Sequence, residues 1–235
     1  MFWELTDDDL LLAKAADPKA TERLFAAALP TCERMALALC GTRDATRRVL
    51  RGLTHRSARQ LDAWRSADQA GRWFMHHTIL LVRENTPNNV TDDALLQGVG
   101  GPDLVAYGAL ISAMRKLPPQ QREAFVLTHA QRWNTRLCAV AMDCSNRAVE
   151  NHLIEANKKI QSLSGEHFDA LTSALRQVYT TLPLELPLTP DRLAGTLHRG
   201  RRTRRVLRLT MWTSVAIALT AGVWFVLHVL PRIDV

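Results

Sequence analysis

The stretch from Leu117 to Leu163 leaves the chain little choice of fold. Pro118 and Pro119 close off what precedes and suit the first turn of a helix, where the N–H that proline lacks would be unsatisfied anyway. Leu117, Phe125 and Val126 give that helix an apolar face. Asn134 can cap a second helix, Thr135 to Met142, by accepting from the free N–H groups of its first turn. Asp143-Cys144 makes a tight turn. Ser145 caps a third helix, with Ala148, Val149, Leu153, Ala156 and Ile160 at helical spacing. A short helix, a brief turn and a longer helix form the helix-turn-helix unit, whose second helix can enter a DNA major groove. The same pattern also suits a plain three-helix packing unit with no DNA role.

The remainder also reads as helical. The chain has 235 residues, 47% of them hydrophobic, and no alternating run long enough for a strand. Thr6 caps a first helix with Asp7, Asp8 and Asp9 in its opening turn, where the helix dipole favours negative charge. Asp17-Pro18 breaks the chain before a second helix to Ala28. Pro30 starts a third, which ends at Gly41 as C-cap. A fourth runs from Asp44 to about Arg65, and a fifth from Arg72 to Arg83. Residues 85–103 are rich in Pro, Asn, Asp and Gly and read as a linker, with one helical turn at Ala94-Leu95-Leu96. Leu104 to Lys116 leads into the opening stretch. Beyond it, His167 to Tyr179 is amphipathic, and Leu182 to Leu188 is an apolar, proline-punctuated segment able to drape over a partner.

The formal net charge of +7 favours an anionic partner, nucleic acid or membrane. Much of it is local, since Arg199, Arg201, Arg202, Arg204, Arg205 and Arg208 crowd one stretch. Cys32, Cys40, Cys138 and Cys144 form no C-x-x-C pair and complete no zinc site with His, so they read as small buried residues. No Gly-rich phosphate loop, H-E-x-x-H or G-x-S-x-G is present, so no enzyme, cofactor or metal is expected. Glu4 and Asp7 to Asp9 interrupt any opening signal peptide.

Leu117-Pro118, Gln121-Arg122-Glu123-Ala124-Phe125, Val126-Leu127, Ala139, Cys144-Ser145, Val149, Asn151-His152-Leu153 and Ala156 to Ile160 together resemble region 4 of the ECF sigma factors of bacterial RNA polymerase. Asp17-Pro18-Lys19-Ala20, Leu29-Pro30, Gly41, Asp44-Ala45 and Trp73-Phe74 stand in the order of that family's region 2. The resemblance implies an all-α fold: a region 2-like bundle over residues 1–84, the linker 85–103, and a region 4-like helix-turn-helix domain over 104–163. Core RNA polymerase and promoter DNA would be the partners. Ser145, Asn146, Arg147, Glu150, Asn151, Glu155, Lys158 and Lys159 would face DNA. Arg47, Leu50 and Arg51 stand where the family carries an acidic and amide patch for polymerase, so the charge of that contact is inverted. Trp73, His76 and His77 could stack on unpaired promoter bases; Trp73 and Phe74 suit a helix core better, with His76 and His77 at the surface.

After a basic segment within 164–208, Leu209 to Leu230 is 22 residues without Asp, Glu, Lys or Arg. At about 1.5 Å per residue that would cross a bilayer core of about 30 Å. A C-terminal transmembrane helix is therefore expected, placing a single-pass protein in the bacterial inner membrane with its large N-terminal part cytoplasmic. A buried soluble helix is the other reading. Three functions fit. One is a membrane-anchored ECF-like sigma factor, with an anti-sigma or membrane signalling protein as a further partner. Another is a degenerate sigma fold that regulates another sigma or anti-sigma factor without reading DNA. The third is a membrane-bound helix-turn-helix activator that recruits polymerase without being a sigma factor.

Overall fold

The structure is a computed structural model that describes residues 5–15, 17–87, 89–90, 92–97, 104–185, 210–221 and 223. Every regular element among them is helical. Contacts gather Met1–Leu193 into one compact unit and Ala194–Val235 into another.

The first lobe of the larger unit follows its capping signals. α1 (Asp7–Lys14) opens on a capping box in which Thr6 Oγ1 accepts from the Asp9 N–H and the Asp9 carboxylate accepts from the Thr6 N–H. α2 (Pro18–Cys40) is capped by Asp17, which accepts from the Ala20 N–H at 2.7 Å. The break expected at Pro30 does not occur, and one helix runs through it. Pro30 removes a single main-chain bond. The residues on both sides, among them Ala28, Leu29, Cys32 and Met35, are buried, and α2 packs on α1, α3 and α4. That burial outweighs one lost hydrogen bond. α3 (Arg43–Gln60) and α4 (Ala67–Asn85) complete the lobe around Phe25, Trp64 and Phe74.

The second lobe holds α5 (Leu104–Lys116), α6 (Pro119–Phe125) with a π turn over Val126–Ala130, α7 (Thr135–Met142), α8 (Asn146–Ser164) and α9 (Phe168–Thr181). α9 joins this core: Phe168 meets Phe125 and His129 edge-on, and Leu171, Leu175 and Tyr179 are buried.

Two ion pairs sit where the lobes meet. Arg115 of α5 grips Asp93 through Nε at 2.6 Å and Nη2 at 2.9 Å, and donates from Nη1 to the Leu39 carbonyl of α2 at 2.7 Å. Leu39 lies in the last turn of α2, whose orphan carbonyls need such donors. Gly41 follows with φ +79°, and a Cβ there would lie 2.9 Å from Arg115 Nη2. The position therefore needs glycine for its backbone and for the guanidinium beside it. The middle of the 85–103 segment is drawn in with Asp93: Leu95 is buried, and Ala94 N–H donates to the Gly41 carbonyl at 2.8 Å. The second pair joins Arg83 of α4 to Glu123 of α6 at 2.6 Å, with the glutamate side chain 2 % exposed.

The four cysteines are free. Burial pushes the Cys32 thiol up to about 12 and the Cys138 thiol up to about 11, which leaves both protonated and inert near neutrality.

The expected transmembrane helix is corrected. Among the described residues no helix is long and apolar enough to cross a membrane. Of the expected span, residues 210–221 and 223 are described, and all are helical. Residues 209, 222 and 224–230 of the expected span lie outside the described residues, as does the arginine-rich segment before it. The single-pass inner-membrane placement and the membrane as partner lose their support with the span.

Removing Arg115 strands a buried carboxylate. Arg115→Ala is expected to cost about 3 to 5 kcal/mol in urea unfolding, against a smaller loss for Asp93→Asn, whose amide oxygen still accepts from a guanidinium that is 13 % exposed and keeps its bond to the Leu39 carbonyl.

Candidate nucleic-acid interface

The helix-turn-helix is built by its caps. Asn134 Oδ1 accepts from the Leu137 N–H at 3.0 Å and starts α7. Asp143 ends α7 in the left-handed region at φ 55°, and the Cys144 N–H closes the turn onto the Ala139 carbonyl at 3.1 Å. Aspartate tolerates that conformation better than most residues because its short side chain bonds locally. Ser145 Oγ then accepts from the Ala148 N–H at 3.2 Å and starts α8. Val149, Ala156 and Ile160 bury the inner face of α8, while Leu153 is only half-buried.

All eight expected DNA-facing residues are exposed: Ser145, Asn146, Arg147, Glu150, Asn151, Glu155, Lys158 and Lys159. Two already have intramolecular roles. Ser145 is the cap, and Lys159 Nζ donates to Gln121 Oε1 at 2.9 Å. Positions 147, 150, 151, 154, 155 and 158 recur every three or four residues and form one stripe about 16 Å long. Ile154 belongs to it and is 62 % exposed. The sequence reading passed over Ile154 because it sought polar groups; its spacing from Glu150 and Asn151 is the signal that would have found it. An exposed aliphatic on such a helix can contact a thymine methyl, as Asn and Arg can pair with adenine and guanine. Arg147, Lys158 and Lys159 face two carboxylates, Glu150 and Glu155, on the same helix. Phosphate attraction at this face is therefore weak, and base contacts must carry more of any binding.

His129 supports the stripe from behind. Its Nε2 lies 2.9 Å from Asn157 Oδ1 of α8, and its ring packs on Phe125. Burial holds its pKa below the ordinary histidine value, against the opposing pull of the Asn157 bond.

The other expected site residues lie on the first lobe. Trp73 is half-buried, with its ring 4.0 Å from that of His77 in a stack and 5.1 Å from Trp64. His77 Nδ1 is 3.1 Å from the Trp73 carbonyl oxygen, and His76 Nδ1 is 3.4 Å from the Ala141 carbonyl oxygen of α7. The three thus form one cluster, and His76 faces the second lobe. On α3, Arg47 and Arg51 are exposed, but Leu50 is 2 % exposed. Arg47 is paired with Asp44 and Glu185.

Residues 107–160 match the family model for sigma-70, region 4, which covers most of α5 through most of α8. No curated protein and no solved structure matches the chain. The matched region supports a sigma-factor-like protein with a DNA-binding helix-turn-helix and a part in transcription initiation, a non-enzymatic role that involves RNA polymerase and promoter DNA.

A histidine whose folded pKa is lowered contributes stability that is present above about pH 6.5 and is lost as pH falls through the folded value. Stability should decline between pH 7 and pH 5, and His129→Gln should flatten part of that slope in urea titrations at each pH.

Proposed function

We propose that this chain is a sigma factor of the ECF type, which joins core RNA polymerase and directs it to promoters. The observation that carries the reading is the sigma-70 region 4 match lying over a helix whose outer stripe is exposed. On this reading residues 1–84 act as the region 2-like module, 85–103 connect it, and 104–163 act as region 4. α8 enters the major groove of the distal promoter element. Asn146, Arg147, Glu150, Asn151 and Glu155 reach base edges, Glu accepting from cytosine N4, and Ile154 adds an apolar contact. Lys158 and Lys159 meet phosphate, and Ser145 fixes the helix start at the groove. The α3 surface with Arg47 and Arg51 meets polymerase, with Leu50 buried beneath it. Trp73, His76 and His77 lie where the melted strand would pass.

A second reading has its own observation. Glu150 and Glu155 are both exposed on the face that would meet DNA, which disfavours an anionic partner there. A sigma fold kept to bind another sigma or anti-sigma factor accounts for that face as well.

Run-off transcription with core polymerase and the DNA upstream of the chain's own gene separates the two. A sigma factor yields a transcript with a defined start only when the chain is added. Core binding without initiation favours the interaction module. In the first case Arg147→Ala should reduce initiation about 5- to 100-fold, the value of one good base contact. Lys158→Ala should lower the salt dependence of promoter binding by about one unit of slope.

A further inference from the structure

Beyond α9 the chain leaves its helix and returns to the first lobe. Leu182 is buried, Pro183 and Leu184 follow in an irregular run, and Glu185 lands on α2 and α3. The Glu185 N–H donates to Glu33 Oε1 at 2.6 Å. The Glu185 carboxylate meets Arg43 Nη1 at 3.0 Å and Arg47 Nη2 at 3.1 Å, and Arg43 Nη1 also donates to the Pro183 carbonyl at 3.4 Å. Leu37, Thr46 and Leu50 line the groove with these residues.

The groove has the chemistry of a peptide receptor. Glu33 is 3 % exposed, and its Oε2 is buried without a partner. A carboxylate held that deep is costly unless donors reach it. Burial pushes its pKa up, and the Glu185 amide is the principal group opposing that shift. An acceptor that takes a main-chain N–H selects for an extended backbone, whatever the side chain. The arginines on the rim then select an acidic side chain. Arg43 and Arg47 are both cations, so a partner docking here must present acid rather than base, because opposed like charges cost several kcal/mol. The seated segment meets both demands.

We propose that the α2–α3 groove is a docking surface for an acidic, extended peptide segment, and that Leu182–Glu185 occupies it in cis until a partner segment of the same chemistry displaces it. Two of the three residues assigned to polymerase contact, Arg47 and Leu50, line this groove, so the strap covers the surface the partner needs. The partner's identity as core polymerase rests on the function proposed above; the groove and its occupant do not.

The test uses the full chain and a fluorescent synthetic peptide of residues 180–188, Thr-Thr-Leu-Pro-Leu-Glu-Leu-Pro-Leu. A tethered strap competes at an effective concentration of about millimolar, so the wild-type chain should bind the free peptide poorly. Glu185→Lys should release the strap, speed hydrogen exchange at 182–185 and tighten peptide binding about tenfold or more. Adding Arg47→Glu to Glu185→Lys should abolish the gain. Equal peptide binding by all three chains, or unchanged exchange at 182–185 in Glu185→Lys, overturns the proposal. Core polymerase is then titrated against the same chains. Tighter core binding by Glu185→Lys, competed by the peptide, supports both the groove and the polymerase reading. Peptide binding that responds to Glu185→Lys, with no core binding by any chain, supports the groove and overturns polymerase as its partner.

Discussion

The Arg115–Asp93 clasp is the constraint on which the larger unit depends. One guanidinium satisfies a buried carboxylate, closes the C-terminal carbonyls of α2 at Leu39, and leaves room only for glycine at position 41. It therefore fixes where α2 stops, where the 93–97 turn sits and how α5 approaches. The Arg115 carbonyl in turn accepts from Arg122 Nη1 at 3.3 Å, tying α6 to the same point. Such a hub is strong only while complete, because removing either charge leaves the other desolvated.

The candidate DNA face inherits its position from this frame. α8 is held by α5, α6 and α7 on its inner side, and His129 steadies it through Asn157. Its outer stripe stays open to solvent. The first-lobe cluster of Trp73, His76 and His77 is less open, because its rings stack among themselves and His76 reaches α7. Thus the outer stripe of α8 is open in this arrangement, while the α3 surface is occupied by the chain's own acidic strap and the aromatic cluster by its neighbours.

Local signals were well written into the sequence. Thr6, Asp17, Asn134 and Ser145 cap helices as their residue types require, Gly41 ends α2, and Val149, Ala156 and Ile160 of α8 are buried as their spacing requires, whereas Ala148 and Leu153 are only half-buried. Pro30 misled because a propensity that breaks an isolated helix is overridden when both flanks are buried. The span expected from 209 rested on apolar content alone, and among the described residues no helix is long and apolar enough to cross a membrane. Arg115, Arg83 and Glu185 act through partners far off in sequence, and no local pattern encodes such pairing. Leu50 illustrates the same limit: the resemblance put it in the polymerase patch beside Arg47 and Arg51, and the fold buries it as a wall of the α2–α3 groove.

Site-specific photo-crosslinking within a polymerase–promoter complex tests most directly whether α8 reads DNA. A photoreactive residue at position 151, on the outer stripe, should crosslink to the distal promoter element, while one at position 173, on the exposed face of α9, should not. Crosslinks from neither position, or equal crosslinks from both, would contradict the account.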